Sequence, residues 1–501
     1  MRGLIIVHRW LGVFLCALVF LWFLSGIGMM YWPFPEVTAA DQLARAAPLD
    51  ASTIRLSPAE AAARADIDPI GADVRLRTFD GRPVYRFVDR GRLVVVRADT
   101  GDGRTAVSQP TLDRIASTWT GQPATAADVQ TMTDVDQWTV QASARRLLPL
   151  IRYSWPNGEV VYLDEDTGEV AQYTTTASRL RAYLGPIPHW LYFTPLRKHP
   201  ALWTAVVVWS AALATVAAMV GLVVGVARYS PARRYRVDGR PSAVPYRGSK
   251  GWHAVLGLVF GTAAATWAFS GMLSMEPFPR RGAGGDGGSG MSVADALMGA
   301  VDLAAFDARP PQEALTRLGG TPVKELALSS FRGQPMYLAT LAGGRTMVVP
   351  VSGDARATFD IDAIVAALGA VGSPGRVIET RLLTRYDRYY LDRRGQRPLP
   401  VVLAIMDDEN RTRVYVDPAS ASIVGRYSSR DWVTRWLYHG LHSLDLPWLY
   451  NHRPLWDVVV IAFMLGGAAL SVTSTVLAWQ VVGRTVGRAA HGSGSERPPV
   501  E

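Results

Sequence analysis

The sequence predicts a membrane-spanning bundle of four α-helices that carries two outward-facing α+β domains, with the second half of the chain repeating the first. Four long uncharged segments support this prediction, and they run over about 10–35, 200–227, 251–275 and 458–483. Each is about 25 residues long, which lets a helix cross a hydrocarbon core of ~30 Å. Hydrophobic residues make up 49% of the chain and include 16 tryptophans, as expected for a membrane protein with sizeable soluble parts.

The uncharged segments divide the chain into eight parts. These are transmembrane helix 1 (1–35), a periplasmic α+β domain (36–185), a histidine-bearing segment with transmembrane helix 2 (186–228), a basic cytoplasmic loop (229–250), transmembrane helix 3 (251–276), a second periplasmic α+β domain (277–435), a histidine-rich segment with transmembrane helix 4 (436–484) and a cytoplasmic tail (485–501). The first segment is too long for the apolar region of a signal peptide, so we expect it to be retained.

Charge predicts the orientation in the membrane. Between the second and third segments a single acid, Asp238, accompanies seven basic residues: Arg228, Arg233, Arg234, Arg236, Arg240, Arg247 and Lys250. The positive-inside rule puts this loop and both termini in the cytoplasm, so the large loops face outward, into the periplasm of a bacterial inner membrane. The formal charge of +9 gathers beside the spans rather than on a soluble face, so we expect no nucleic-acid partner.

Both large loops have the local patterns of α+β domains. Ser57 is a candidate N-cap with Pro58 at the first helical position, which predicts a helix over 57–65. Four stretches combine apolar strand patterns with turn signals, and they lie at 84–88, 93–96, 160–170 and 414–420. The glycine-rich stretch 282–290 predicts a flexible linker.

Matched spacings indicate an internal repeat. Three landmarks of the first span recur at equal spacing in the third: His8, Gly12 and Ser25-Gly26 correspond to His253, Gly257 and Ser270-Gly271. The ten-residue separation of His189 and His199 recurs between His442 and His452, and Pro33-Phe34-Pro35 recurs at 277–279. Two halves of the same topology are expected to pack around an axis along the membrane normal.

Cysteine usage limits the possible cofactors. The chain has one cysteine, Cys16, inside the first apolar segment. A single cysteine excludes an internal disulfide, a thiolate-held iron–sulfur cluster and the C-x-x-C-H motif of covalent haem attachment. Any redox cofactor must therefore be held by other side chains.

The chain resembles a known family in several features together. The opening H-R-W-L-G, the strand–Asp-x-Thr-Gly–strand modules and the paired histidine-bearing spans resemble PepSY-associated transmembrane proteins over nearly the whole chain. The resemblance implies PepSY-like outward domains and an iron-regulated inner-membrane protein of the ferric-siderophore reductase type. It also implies b-type haem held by histidines of the spans, and the two histidine-bearing depths of this chain would accommodate two. Some relatives carry a fused flavodoxin-reductase region, which this chain does not, so a separate donor is expected, either quinol or a cytosolic reductase.

His8 and His253 are the candidate ligands on the cytoplasmic side. They enter their spans at equal depth, so a pseudo-two-fold bundle would bring them together as the two axial ligands of one haem. Gly12 and Gly257 lie one helical turn further along the same face and would leave room for a flat macrocycle. The alternative is that both histidines reach the headgroups or cap helices.

The outer side offers two candidate pairs and a weak metal signal. His189 with His442 fits the family pattern best, and His199 with His452 lies closer to the apolar segments. Ten helical residues cover ~15 Å, so one haem cannot use both pairs unless the chain folds back. The second pair would otherwise contact haem propionates or the membrane interface. His439 and His442, together with Asp445, have a spacing that suits a metal ion such as zinc.

These expectations define three functional hypotheses. The first is an electron-transfer protein that reduces a ferric siderophore or another ferric chelate at the outer face. An arginine- and tyrosine-rich stretch over 381–394 would receive the anionic chelate or, alternatively, form a solvated face. Aromatic residues of the spans would line the electron path or, alternatively, serve core packing and interfacial belts: Trp22, Phe23, Trp209, Trp267 and Phe269. The second is a non-catalytic scaffold or regulator of a periplasmic peptidase or other partner. The third is a metal transporter, which the lack of carboxylates deep in the spans disfavours.

Overall fold

A computed structural model describes residues 1–89, 92–103, 107–277, 293–300, 302–371 and 376–492. The predicted linker 282–290 lies outside these residues, and so do positions 278–279 of the second Pro-Phe-Pro motif. The α-helices are α1 Arg2–Tyr31, α2 Ala39–Arg45, α3 Pro58–Arg64, α4 Gln109–Thr120, α5 Ala142–Arg145, α6 Thr176–Leu184, α7 Pro186–Trp190, α8 Thr194–Arg197, α9 Pro200–Arg228, α10 Gly248–Leu273, α11 Val293–Leu297, α12 Pro311–Thr316, α13 Ile361–Gly369, α14 Pro447–Tyr450 and α15 Leu455–Gly492. A π-helix runs over Val433–Gly440, and short 3₁₀ turns lie at Ala51–Thr53, Ala124–Ala126, Leu303–Ala308 and Ser429–Asp431.

Within the described residues, α1, α9, α10 and α15 are long and apolar enough to cross a membrane. The four predicted spans are therefore confirmed as helices, and the protein is a multi-pass membrane protein. α1 begins at Arg2, about two turns before the predicted apolar segment, because arginine is a good helix former and does not end a helix.

The four long helices form a ring. α1 packs against α9 and α15, and α10 packs against the same two helices, so α1 and α10 occupy opposite corners. Large apolar side chains such as Phe14 and Trp479 remain exposed on the outer faces, where lipid would cover them. This arrangement turns the inner faces of α1 and α10 toward each other.

The strands belong to three larger sheets and one small hairpin. They are β1 Asp73–Phe79, β2 Arg82–Asp89, β3 Arg92–Arg97, β4 Asp128–Met132, β5 Leu150–Ser154, β6 Val160–Asp164, β7 Val170–Thr174, β8 Tyr235–Val237, β9 Arg240–Ser242, β10 Val323–Phe331, β11 Gln334–Leu341, β12 Thr346–Pro350, β13 Val377–Leu383, β14 Val401–Met406, β15 Arg413–Asp417 and β16 Ser422–Tyr427. The sheet orders are β12-β11-β10-β1-β2-β3, β4-β5-β6-β7, β13-β14-β15-β16 and β8-β9. All predicted strand stretches therefore contain strands, and the helix predicted at Ser57 forms with a capping box to Glu60.

The six-stranded sheet joins the two outward loops. β1 of the first loop pairs antiparallel with β10 of the second, with Val74 opposite Leu328 and Leu76 opposite Leu326. The sequence predicts two separate outward domains, whereas the structure gives each loop half of a shared sheet. Because the strands hydrogen-bond directly, both loops must lie on the same side of the bilayer.

The core of the shared sheet is also built from both loops. Tyr85 comes from the first loop, Phe306 and Tyr337 come from the second, and all three are fully buried. The Phe306 and Tyr337 rings meet edge to face with their centroids 4.9 Å apart. The Tyr85 hydroxyl donates to the Leu56 carbonyl oxygen at 2.8 Å, so its polar end is satisfied. Neither loop could bury these rings without the other.

The two four-stranded sheets attach to the shared sheet differently. The sheet β13–β16 shares an apolar core with it, in which Met336 and Val348 pack with Val402 and Val414. The sheet β4–β7 is linked to it by ions: one Glu169 oxygen lies 2.5 Å from a guanidinium nitrogen of Arg77 and 2.5 Å from one of Arg86. Arg114 also binds Asp80 at 2.6 Å. Ion pairs therefore attach the β4–β7 sheet to the shared sheet, whereas apolar packing attaches the β13–β16 sheet.

Candidate functional site

His8 and His253 face each other between opposite corners of the helix ring. His8 lies on α1 and His253 on α10, and their ring centroids are 5.9 Å apart with planes inclined by 41°. The predicted meeting of these two imidazoles inside the bundle therefore occurs in the structure. The alternative, in which they point outward to headgroups, does not fit this separation.

The surroundings of His8 determine which ring nitrogen is free. Its Nδ1 lies 2.9 Å from the carbonyl oxygen of Ala217 on α9. A carbonyl can only accept, so Nδ1 carries the hydrogen and Nε2 keeps its lone pair. Gly221 permits this approach, because a Cβ at that position would lie 2.6 Å from Cε1 of His8.

His253 is held in the same way by hydroxyl groups of α15. Its Nδ1 lies 3.1 Å from Thr473 Oγ1 and 3.3 Å from Ser474 Oγ. Both hydroxyls donate their own hydrogens to the Leu470 carbonyl oxygen, at 2.7 and 3.0 Å, so they accept from the imidazole. Nε2 of His253 is again the nitrogen left with a lone pair.

The outer pair repeats this geometry about 25 Å further along the helices. This is the length of the seventeen helical residues that separate His8 from Ser25, the residue of α1 that contacts His189. His189 lies on α7 and His442 follows the π-helix, and their ring centroids are 6.0 Å apart with planes inclined by 63°. Gly28 and Gly185 let α7 sit directly against α1, since a Cβ on Gly28 would be 2.4 Å from the Leu184 carbonyl oxygen.

The outer histidines bind corresponding positions of α1 and α10. His189 Nδ1 lies 3.2 Å from the Trp22 carbonyl oxygen and 3.3 Å from Ser25 Oγ. His442 Nδ1 lies 3.2 Å from the Trp267 carbonyl oxygen and 3.1 Å from Ser270 Oγ. Both imidazoles therefore carry the hydrogen on Nδ1 and leave Nε2 free, as metal-ligating histidines do when a neighbour holds the other nitrogen.

Burial keeps both outer imidazoles uncharged. It lowers the pKa of His189 to about 4. It lowers the pKa of His442 to about 3, with a smaller contribution from the neighbouring His189. At neutral pH both rings are therefore neutral, which is the form that binds iron.

A cavity of about 760 Å³ opens at the outer pair. His189 and His442 line it together with Gly26 and Gly271, and a Cβ on either glycine would lie 3.4 Å from Cε1 of the nearer histidine. Four arginines also line the cavity: Arg393, Arg394, Arg397 and Arg435. Its wall is otherwise largely apolar and aromatic, as in sites for planar cofactors.

The residues present fit a porphyrin iron held by two imidazoles. With the ~2.0–2.1 Å metal–nitrogen distance of imidazole ligands, the ring centroids of two axial histidines lie roughly 6–6.5 Å apart. The observed separations of 5.9 and 6.0 Å lie at the lower end of that range at both depths. At the inner pair, a Cβ on Gly12 would meet no atom within 4 Å, so the predicted space beside His8 is present.

His199 and His452 are outside the cavity. His199 is the N-cap residue of α9, and both side chains are exposed. His452 Nδ1 lies 2.6 Å from the Trp448 carbonyl oxygen. The structure thus supports His189 and His442 rather than this second pair, and gives His199 and His452 no contact with the cavity.

The predicted metal site at His439 and His442 lacks its third ligand. Both Asp445 oxygens lie 2.9 Å from Nη2 of Arg393, so the carboxylate is bound by a guanidinium. The His439 side chain is exposed and its ring lies beside Tyr438, with centroids 4.7 Å apart. Among the described residues, no three histidine, cysteine or carboxylate side chains form a group that suits a metal ion.

Aromatic rings occupy the centre of the bundle between the two pairs. Phe23 and Trp267 have centroids 5.9 Å apart, Trp267 lies 6.4 Å from Phe463, and Phe463 lies 6.1 Å from Phe260. Sequence reasoning identified Phe23 and Trp267 but missed Phe260 and Phe463. Trp209, which was also expected here, is 66% exposed on the outer surface.

Replacing Ser25 and Ser270 with alanine should weaken cofactor binding at the outer pair about 10- to 100-fold, the usual cost of losing a group that orients a ligating histidine. The measurement is a haem titration followed by absorbance. Thr266→Ala is the matched control, because its hydroxyl lies one turn before Ser270 on α10, donates to the Thr262 and Ala263 carbonyl oxygens, and is not part of the cavity lining. Equal haem affinity in the unmodified protein, the Ser25/Ser270 double variant and the control would contradict the role given to Ser25 and Ser270.

Comparison with known proteins gives one family. The family model described as the PepSY-associated TM region matches residues 5–324, which is 320 of the 501 residues. The matched region contains α1 from residue 5 onward together with α7, α9 and α10, and it therefore includes His8, His189 and His253. No match was found among curated proteins.

Proposed function

The chain belongs to the PepSY-associated transmembrane family, and on that premise we propose that it is a haem-binding electron-transfer protein of the bacterial inner membrane. It would hold two b-type haems and pass electrons to a ferric siderophore or another ferric chelate in the periplasm. The single observation that carries the proposal is the duplicated pair of imidazoles, with centroids 5.9 and 6.0 Å apart and Nδ1 engaged in all four rings.

Structural roles alone do not account for this arrangement. Ionisable side chains at membrane depth are costly, and they usually pair with a partner or mark a functional path. Here four histidines each turn a hydrogen-bonded nitrogen to the protein and keep a lone pair free. When bound, haem iron would supply a one-electron couple at each pair, with a potential set by the axial imidazoles and their burial.

The two pairs lie near opposite ends of the spans, which suits transfer across the bilayer. His253 lies near the end of α10 that follows the basic loop, and His8 faces it from the first turns of α1. A donor on that side would be quinol or a cytosolic reductase. The rings of Phe260, Phe463 and Trp267 fill the interval between the pairs. Charge around the loop 229–250 supports a cytoplasmic placement of this side, and hence of both termini.

The outer cavity supports an anionic acceptor at the periplasmic face. Arg394 and Arg397 are exposed and also line the cavity, so they would attract a ferric chelate toward the outer pair. Each Fe(III) accepts one electron and becomes Fe(II), which oxygen chelators hold less tightly. The reaction needs no covalent intermediate with the protein.

The test is to purify the full chain from haem-replete cells and record its spectrum. We expect two b-type haems per chain, reducible by dithionite and reoxidised by a ferric chelate. A colourless protein that takes up no added haem would overturn the proposal. If the variant with alanine at His8, His189, His253 and His442 still supported growth on ferric siderophore, the protein would instead be a scaffold or regulator.

A further inference from the structure

Arg435 holds a fixed position in the wall of the outer cavity. It lies on the π-helix Val433–Gly440 and is only 6% exposed. Its Nε donates to the Arg388 carbonyl oxygen, and its Nη2 donates to the Asp445 carbonyl oxygen at 2.9 Å. The guanidinium carbon also lies 4.4 Å from the centroid of the Trp436 ring. These contacts fix the plane of the guanidinium and therefore the direction of its remaining nitrogen.

That remaining nitrogen, Nη1, is buried and has no hydrogen-bond partner among the described residues. A buried cationic donor without a partner is costly, and native proteins rarely leave one. The Asp445 carboxylate lies close enough to favour the charged guanidinium, but its oxygens hydrogen-bond to Arg393 and not to Nη1. An anionic acceptor on a ligand that enters the cavity would satisfy Nη1.

Tyr450 contributes a second donor to the same cavity. It ends α14 and is 9% exposed, and its hydroxyl is buried without a partner among the described residues. Burial raises the pKa of Tyr450 to about 12, so the phenol keeps its hydrogen and can donate it. Arg435 and Tyr450 thus both line the cavity, and each carries one buried donor atom that has no partner among the described residues.

The charge around these donors favours a carboxylate. Four arginines line the cavity, against two carboxylates, Asp392 and Asp445. Asp392 is held by backbone N–H groups, including that of Arg394 at 2.8 Å, and Asp445 is held by Arg393. Neither acid satisfies Arg435, so the cavity keeps an excess of positive charge around its buried donors.

We infer that Arg435 Nη1 and Tyr450 Oη form a carboxylate-binding subsite for the ligand held between His189 and His442. Under the proposed function, on which this inference rests, the carboxylate is a propionate of the outer haem. A carboxylate of an incoming ferric chelate has the same chemistry, but the chelate approaches through the exposed arginines, whereas both donors of this subsite are buried. The subsite would fix the rotation of the macrocycle about the axis between the two histidines.

The experiment compares haem with its dimethyl ester, which has the same iron and ring but no carboxylates. Both are titrated into the full chain carrying His253→Ala, so that only the outer pair offers two axial ligands. Binding is followed by the Soret band. Haem should bind about tenfold or more tightly than the ester, as expected for a charge-assisted hydrogen bond to a buried group. Tyr450→Phe and Arg435→Met should each reduce that preference to about twofold.

The controls separate failure of the inference from failure of the proposed function. Tyr450→Phe removes only a hydroxyl, so it keeps the test valid if Arg435→Met folds poorly. Arg411→Gln should leave the preference intact, because that side chain is exposed and does not line the cavity. Equal affinity for haem and ester in the parent protein would overturn the inference and leave the proposed function standing. If Tyr450→Phe and Arg435→Met both kept the full preference for haem over the ester, the inference would also be overturned. The same holds if these two variants weakened only the binding of ferric citrate. If neither porphyrin bound, the proposed function would fail at this pair.

Discussion

Replacing His442 with alanine should leave the purified protein with one haem per chain instead of two. The imidazole of His442 is one of two that meet at the outer cavity, and alanine offers no atom that could ligate iron. His189 alone would leave the iron with one axial ligand, which weakens binding and changes its spectrum. The inner pair, about 25 Å away along the helices, should keep its haem and its bis-imidazole spectrum. The measurement is haem content per chain together with the spectrum of the reduced protein.

His452→Ala is the matched control for this variant. It removes an imidazole ten residues further along the chain, and His452 is exposed and outside the cavity. Its haem content should equal that of the unmodified protein. If His442→Ala retained two haems with unchanged spectra while His452→Ala lost one, the outer ligands would be His199 and His452, and the assignment made from the cavity would be wrong.

Replacing Glu169 with glutamine should destabilise the outward part of the protein by about 3–5 kcal/mol, as when one partner is removed from a buried ion pair. The side chains of Arg77, Arg86 and Glu169 are only 9%, 16% and 17% exposed. Glutamine keeps the shape of the side chain but removes the negative charge that bridges the guanidinium groups of Arg77 and Arg86. We expect a lower apparent melting temperature and faster proteolysis of the β4–β7 sheet.

Glu165→Gln is the control for this effect, since Glu165 lies in the same turn and is exposed. It should change the melting temperature little, as surface substitutions usually do. A combined variant with Arg77→Met, Arg86→Met and Glu169→Leu should recover much of the loss, because replacing a whole buried ion group by apolar residues is often neutral. Equal melting temperatures for Glu169→Gln and Glu165→Gln would show that the ion group does not hold the sheet.

Local patterns and repeated spacings predicted much of the fold. The spans follow from the length of uncharged segments, and the helix at Ser57 follows from its cap. The facing of His8 and His253 follows from equal depth in two matched spans, which a symmetric ring places at opposite corners. Ser25 and Ser270 were noticed as landmarks of the repeat, although their hydrogen bonds to His189 and His442 could not be read from spacing.

What the sequence did not predict depends on long-range contacts or on side-chain direction. The pairing of β1 with β10 leaves no local signal, because either strand alone reads as an ordinary strand with an open edge. Spacing placed His199 and His452 in corresponding positions but could not reveal that both side chains point away from the cavity. Arg435 and Tyr450 correspond to Ala182 and Arg197 in the first half, so the repeat gave no reason to single them out.

The pairing of β1 with β10 has a consequence for biosynthesis. Val74 cannot pair with Leu328 until the ribosome has added 254 more residues. At ~5–20 residues per second the delay is roughly 13–50 s. During this time the first loop presents an unpaired strand edge, a template on which other chains can add. High expression crowds such half-made chains together, so aggregation should begin at Asp73–Phe79 before the protein is complete.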